Sequence, residues 1–130
     1  HTIISKDDIL NAKKEHPQAR VAVHPECTKD VTTLADFVGS TSAIIDYVVN
    51  TDADEFIIGT VDGVFYKIHE LAPDKKLYRA RAVQECVNMK KVSLEKIIDV
   101  LENETNEVFL DENIANAALK PLEKMLELAQ

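Results

Sequence analysis

Cysteine is scarce in this chain, at two residues in 130, and glycine and proline number only three and four. Two cysteines far apart, Cys27 and Cys86, build neither a disulfide framework nor a local zinc pattern, so each is read on its own chemistry. No linker rich in Gly, Ser or Pro divides the chain, and no internal repeat stands out. Positive charge is also in deficit, with 15 Lys and Arg against 23 Asp and Glu and a formal net charge of −8. A surface of that sign repels phosphate backbones and anionic headgroups, which argues against a duplex nucleic-acid partner and a membrane partner, while leaving room for a local phosphate pocket. No apolar run approaches the roughly 20 residues needed to cross a bilayer. The opening His1-Thr2-Ile3-Ile4 lacks the charged-then-apolar plan of a signal peptide, so a cytoplasmic location is expected.

What is present is a globular composition, 45% apolar and 29% charged, in a length that suits one core. Ser5-Lys6-Asp7-Asp8 resembles a capping box and predicts a helix to about Glu15, stopped before Pro17. Arg20–His24 reads as a buried strand. Val31, Leu34, Ala35 and Val38 share the spacing of one helical face, which predicts a helix ended by Gly39, and Ser40-Thr41 caps a second. Phe56–Thr60 is the next strand, followed by a helix from Val64 to Leu71. Lys76–Arg79 is a weaker third strand and Val108–Leu110 a short fourth. Helices are expected from Ser93 and from Asp111, the latter broken or kinked at Pro121.

Strands alternating with helices over short connections predict an α/β fold: a three-layer α/β/α sandwich with a short, mostly parallel four-stranded sheet, plus a C-terminal helical segment. The expected division is 1–92 for the α/β domain and 93–130 for a helix-strand-helix segment. Ligands of such sheets bind beyond the carboxyl ends of the strands. That edge is where the sequence puts His24, Glu26 and Cys27, then Thr60 and Asp62, then Cys86 and Asn88.

His24-Pro25-Glu26-Cys27 places an imidazole, a carboxylate and a thiol within one turn, the groups suited to moving protons near neutral pH and to ligating metal or attacking a substrate. The same residues also suit a strand end, an acidic first helical turn and a small buried hydrophobe. Gly39-Ser40-Thr41-Ser42, a glycine with three hydroxyls at a helix start, offers free amides to an anion, or is an ordinary cap. Cys86-Val87-Asn88-Met89-Lys90 presents a thiolate that ligates an iron-sulfur cluster only if other segments supply the remaining ligands; the alternative is a packed cysteine. Lys75, Lys76, Arg79 and Arg81 read as a solvated edge, and His16 and His69 as surface residues.

Taken in order, His24–Cys27, Ala35–Ser42, Ile58-Gly59-Thr60 and Cys86–Lys90 resemble the C-terminal part of the quinolinate synthases. The resemblance implies an enzyme of NAD biosynthesis, a transferase that condenses iminoaspartate with dihydroxyacetone phosphate to quinolinate. It also implies three similar α/β domains around a central site, each giving one cysteine to a 4Fe-4S cluster whose fourth iron is a Lewis acid. Cys86 matches the family's C-terminal cluster ligand, and Cys27 is not expected to be one. His24 and Glu26 match the active-site pair, with Glu26 transferring a proton and His24 holding a substrate oxygen. Ser40 and Thr41 match the element that binds a substrate phosphate or carboxylate.

Two departures stand out. The family carries an acid directly after the Thr of the second strand, whereas Val61 intervenes before Asp62 here, which leaves Asp62 without a role. The family's other two cluster cysteines are absent, and His1 resembles the end of the Gly-x-Cys-x-Val-His-like stretch that carries one of them. The expectation is a piece of a longer enzyme that, isolated from its missing N-terminal domains, neither holds a cluster nor makes quinolinate. The segment 93–130 is then expected to pack on the missing part. The competing reading is a degenerate, non-catalytic α/β module that binds a phosphate or small dicarboxylate at Ser40 and Thr41.

Overall fold

Helix α1 (Lys6–Glu15) starts at a reciprocal capping box, in which Asp8 N–H donates to Ser5 Oγ at 3.2 Å and Ser5 N–H donates to Asp8 Oδ2 at 2.8 Å. The computed structural model describes residues 1–129 as two units, His1–Lys91 and the stretch from Val92 onward. In the first unit α1 is followed by β1 (Arg20–Val23), the one-turn helix α2 (Lys29–Thr32), β2 (Phe37–Val38), α3 (Thr41–Asn50), β3 (Glu55–Gly59), α4 (Gly63–Leu71) and β4 (Lys76–Arg79). A turn of 3₁₀ helix at Met89–Lys91 closes it.

The four strands are parallel and ordered β2-β1-β3-β4. Because successive side chains point to opposite faces, the short β-branched runs feed two cores at once. Val21, Val23 and Ile57 pack with Ile4, Ile9 and Val31 on one face, while Ala22, Phe56 and Ile58 pack with Ile44, Val48, Val64 and Ile68 on the other. This is the three-layer α/β sandwich expected from the sequence. Val23 sits opposite both Val38 and Gly59, and Ile58 opposite Arg79, so all four strands end along one edge. His24, Ser40, Thr60 and the loop after β4 therefore leave the sheet side by side.

Gly59 is required by closeness rather than by backbone angle: a Cβ there would stand 2.8 Å from Val23 Cγ1. Its carbonyl accepts from His24 N–H at 3.1 Å, so the end of β3 anchors the turn that follows β1.

Three expectations need correction. The residues expected to form one helix from Thr28 to Gly39 form α2 and then β2. Asp36 explains the change: its Oδ2 accepts from Val21 N–H at 2.8 Å, its Oδ1 from Arg20 Nη1 at 3.0 Å, and its own N–H donates to Val21 O at 2.9 Å. Those bonds draw the chain into the sheet before a second helical turn forms. Val31, Leu34 and Ala35 still face the core, whereas Val38 is 42% exposed. Pairing of Phe37–Val38 also makes β2, and not Val108–Leu110, the fourth strand; the latter residues pair with nothing among the described residues. His16 is half-buried, its ring stacked on Tyr78 at 3.3 Å between centroids, and is not a simple surface residue.

The second unit holds α5 (Leu94–Asn103), capped by Ser93 Oγ, and α6 (Glu112–Leu128), capped by Asp111 Oδ1. Helix α6 runs through Pro121 rather than ending there, at the cost of the amide hydrogen bond that proline cannot donate. Among the described residues, no helix is long and apolar enough to cross a membrane.

Candidate functional site

The turn His24-Pro25-Glu26-Cys27 is built by short-range bonds. Cys27 N–H donates to His24 O at 3.0 Å, and Glu26 N–H donates to His24 Nδ1 at 3.2 Å. A nitrogen that accepts keeps its lone pair, so the neutral His24 ring carries its proton on Nε2 and offers an N–H donor there. Cys27 faces the other way. It is buried at 6% exposure, its Sγ donates to Gly59 O at 3.6 Å, and burial pushes its thiol up. The sulfur is a structural part of the turn and stays protonated at neutral pH.

Glu26 is the exposed member, and it receives His1. His1 Nδ1 lies 2.9 Å from Glu26 Oε2, His1 Nε2 lies 3.0 Å from Thr60 Oγ1, and the His1 ring stacks on His24. A carboxylate only accepts, so in the neutral ring His1 Nδ1 carries the proton and the Thr60 hydroxyl donates to Nε2. The ligating atoms of His1, His24 and Glu26 lie within 4.8 Å of one another, close enough in principle to surround a metal ion. Both nitrogens of His1 and Nδ1 of His24 already have hydrogen-bond partners, however.

A cavity of about 280 Å³ opens beside this pair, walled by His1, Glu26, Thr60, Gln84 and Cys86. A second of about 280 Å³ adjoins it, walled by Val61, Asp62, Gly63 and again Cys86. Cys86 thus borders both. The backbone N–H groups of Met89 and then Asn88 hold its thiol below the ordinary value. The two cysteines are opposites: one is a buried thiol whose pKa burial raises, the other a half-exposed thiol held below its ordinary value.

Ser40 and Thr41 do not line these cavities. Ser40 caps α3, its Oγ accepting from Ala43 N–H at 3.3 Å, and the first turn of α3 contains no acidic residue. They lie beyond β2, one strand spacing, about 4.8 Å, from β1. Asp62 gains a partner that the sequence did not suggest, since Arg79 Nε donates to its Oδ1 at 2.9 Å. The other cations of the basic stretch are also engaged: Lys75 Nζ on the Thr51 and Ala53 carbonyls, Lys76 on Glu55, and Arg81 on Ile3 O and Asp8.

Three residues here had no assigned role from sequence. His1 was read only as the end of a motif, and Thr60 as a polar residue at the sheet edge and the last residue of the Ile58-Gly59-Thr60 motif. Gln84 carried no signal at all, because nothing in a loop sequence separates a buried glutamine from a solvated one.

The family described as quinolinate synthetase A protein matches residues 1–127 of the chain. The chain is 46% identical over 129 residues to a quinolinate synthase of Caldicellulosiruptor saccharolyticus, an alignment covering 99% of this chain and 43% of that protein. It is 47% identical to a quinolinate synthase of Fusobacterium nucleatum over 129 residues, with the same 99% and 43% covered. The quinolinate synthase of Caldicellulosiruptor bescii is 47% identical over 128 residues, 98% of this chain and 42% of the relative. The chain therefore spans less than half the length of the curated relatives it matches. By the extent of the family match and the level of identity, the chain belongs to the quinolinate synthase family.

Proposed function

We propose that this chain is the C-terminal part of an enzyme of NAD biosynthesis that condenses iminoaspartate with dihydroxyacetone phosphate to quinolinate. In this reading residues 1–92 are the last of three similar domains around a central site, in the cytoplasm, and 93–130 pack on the missing N-terminal part. The observation that carries the reading is the place of Cys86, a half-exposed cysteine on the wall of the cavity that Glu26 and His1 also line.

A half-exposed thiol at a cavity wall, held below its ordinary value, suits a thiolate that ligates iron, so Cys86 fits one corner of a 4Fe-4S cluster. Two more cysteines must come from the missing domains, because Cys27 is sealed in the core. When bound, the cluster supplies Lewis acidity at an iron without a protein ligand. The remaining work falls to this chain. Glu26, exposed at the cavity mouth and oriented by His1, accepts and returns the proton. His24 donates through Nε2–H to a substrate oxygen. Ser40 and Thr41, with the free amides of the α3 first turn, receive a phosphate or carboxylate.

The decisive experiment begins with the intact mass of the native polypeptide. A mass well above 14.5 kDa supports the parent enzyme, whereas a native chain of that size favours a binding module that has lost its cluster. Anaerobic reconstitution of the 130-residue chain alone is then expected to give neither a stable cluster nor quinolinate, and a stable cluster with about four irons per chain would overturn the shared-ligand reading.

A further inference from the structure

The loop from Arg81 to Asn88, which carries Cys86, has little to hold it. Its residues are exposed or half-exposed with one exception: Gln84 is buried at 3% exposure, between exposed Val83 and exposed Glu85. The Gln84 carboxamide uses both ends. Nε2 donates to the carbonyl oxygen of Thr60 at 2.8 Å, tying the loop to the end of β3, and Oε1 accepts from Arg81 N–H at 3.1 Å, closing the loop on itself. Thr60 is itself fully buried and bonded to His1, so one carboxamide joins the loop of Cys86 to the strand end that holds His1 and, through it, Glu26.

We propose that Gln84 is the positioning residue for Cys86, a cross-brace that sets where the sulfur stands relative to β3 and the cavity. This inference rests on the reading of Cys86 as a cluster ligand. Among the described residues, the loop's other hydrogen-bonding side chains turn elsewhere: Arg81 to Ile3 O and Asp8, and Glu85 to Lys90. A brace of this kind fixes a ligand without touching the metal, and loss of such outer partners typically lowers metal retention by about 10- to 100-fold.

The test uses the full-length enzyme with its cluster. Gln84→Met keeps length and volume but removes both hydrogen bonds. Iron release to a chelator under anaerobic conditions is expected to accelerate by about tenfold, with the apoprotein still folded. Val83→Ala on the same loop is expected to release iron at the wild-type rate. Should Gln84→Met fail to fold, Gln84→Asn carries the test, because it keeps the neutral carboxamide but is one methylene too short to reach Thr60 O and Arg81 N–H together; faster release is again expected. Release within twofold of wild type in the folded variant overturns the brace. Cys86→Ser separates the two failures: if it abolishes the cluster while the Gln84 variant is unchanged, the brace alone is wrong, and if it leaves the cluster intact, the ligand assignment falls and takes the brace with it.

Discussion

The imidazoles of His1 and His24 lie face to face, with 3.9 Å between ring centroids and 9° between planes. A metal ion must sit near the plane of each imidazole, where the nitrogen lone pair points. Two nearly parallel planes do not meet at an ion, so the pair and Glu26 form a hydrogen-bonded group. Zinc titration of the chain near neutral pH should therefore give the same affinity and stoichiometry with and without His24→Ala. A site lost in that variant would show that the rings reorient to share an ion.

Glu26→Gln tests proton transfer in the parent enzyme. Glu26 is largely exposed and its carboxylate bonds to His1, so the amide should change stability by no more than about 0.5 kcal/mol and leave the cluster spectrum unaltered. Turnover should fall by about 100-fold or more, because a carboxamide does not accept the proton. Turnover near the wild-type value would remove Glu26 from the mechanism.

The two cysteines should respond differently to serine. Cys27→Ser places a hydroxyl where the thiol meets Gly59 O, which should cost about 1 to 3 kcal/mol while preserving cluster absorbance in the full enzyme. Equal iron loss in Cys27→Ser and Cys86→Ser would mean that the wrong sulfur has been assigned.

Acid should weaken the fold through Asp8 and Asp36. Burial alone raises both carboxyls, but it is outweighed at Asp8 by the Ser5 N–H and hydroxyl and by Arg81, and at Asp36 by the Val21 N–H and Arg20; both end below their ordinary range. A depressed folded-state value contributes stability that is full above the unfolded value, about 4, and is lost as pH falls through the folded value. Urea melts at falling pH should show that loss, and Asp36→Asn should be about 1 kcal/mol less stable near neutral pH with a shallower decline in acid. An unchanged acid slope in the variant would discount Asp36.

Gly59→Ala brings a methyl to within 2.8 Å of Val23 Cγ1 where β1 and β3 end together. Overpacking there should cost about 1 to 3 kcal/mol, read as a lower urea midpoint. A neutral effect would mean that Val23 moves freely, contrary to its complete burial.

The architecture was legible wherever a signal was local. The apolar runs at 20–23 and 56–59 announced buried strands, and Ser5 and Ser40 announced helix starts by their own side chains. Phe37–Val38 was misread because strand pairing depends on a partner distant in sequence, and the helical spacing from Val31 to Ala35 holds whether or not the helix continues. Val108–Leu110 failed for the reciprocal reason: β-branched and aromatic character without a neighbouring ladder makes no strand. At the site, His24, Glu26 and Cys86 stood out by residue type and place. Thr60 and Gln84 act through backbone and buried contacts that only the fold brings about.

Arg81 remains. Its guanidinium holds Ile3 O at 2.9 Å and reaches Asp8 Oδ2 at 3.4 Å, so the segment beginning at His1 and the loop after β4 share one clasp. Neither can swing away without releasing the other. In hydrogen exchange the two should open together as a single cooperative unit, less protected than the sheet beneath them, so the imidazole and the sulfur that face one cavity arrive and depart in concert.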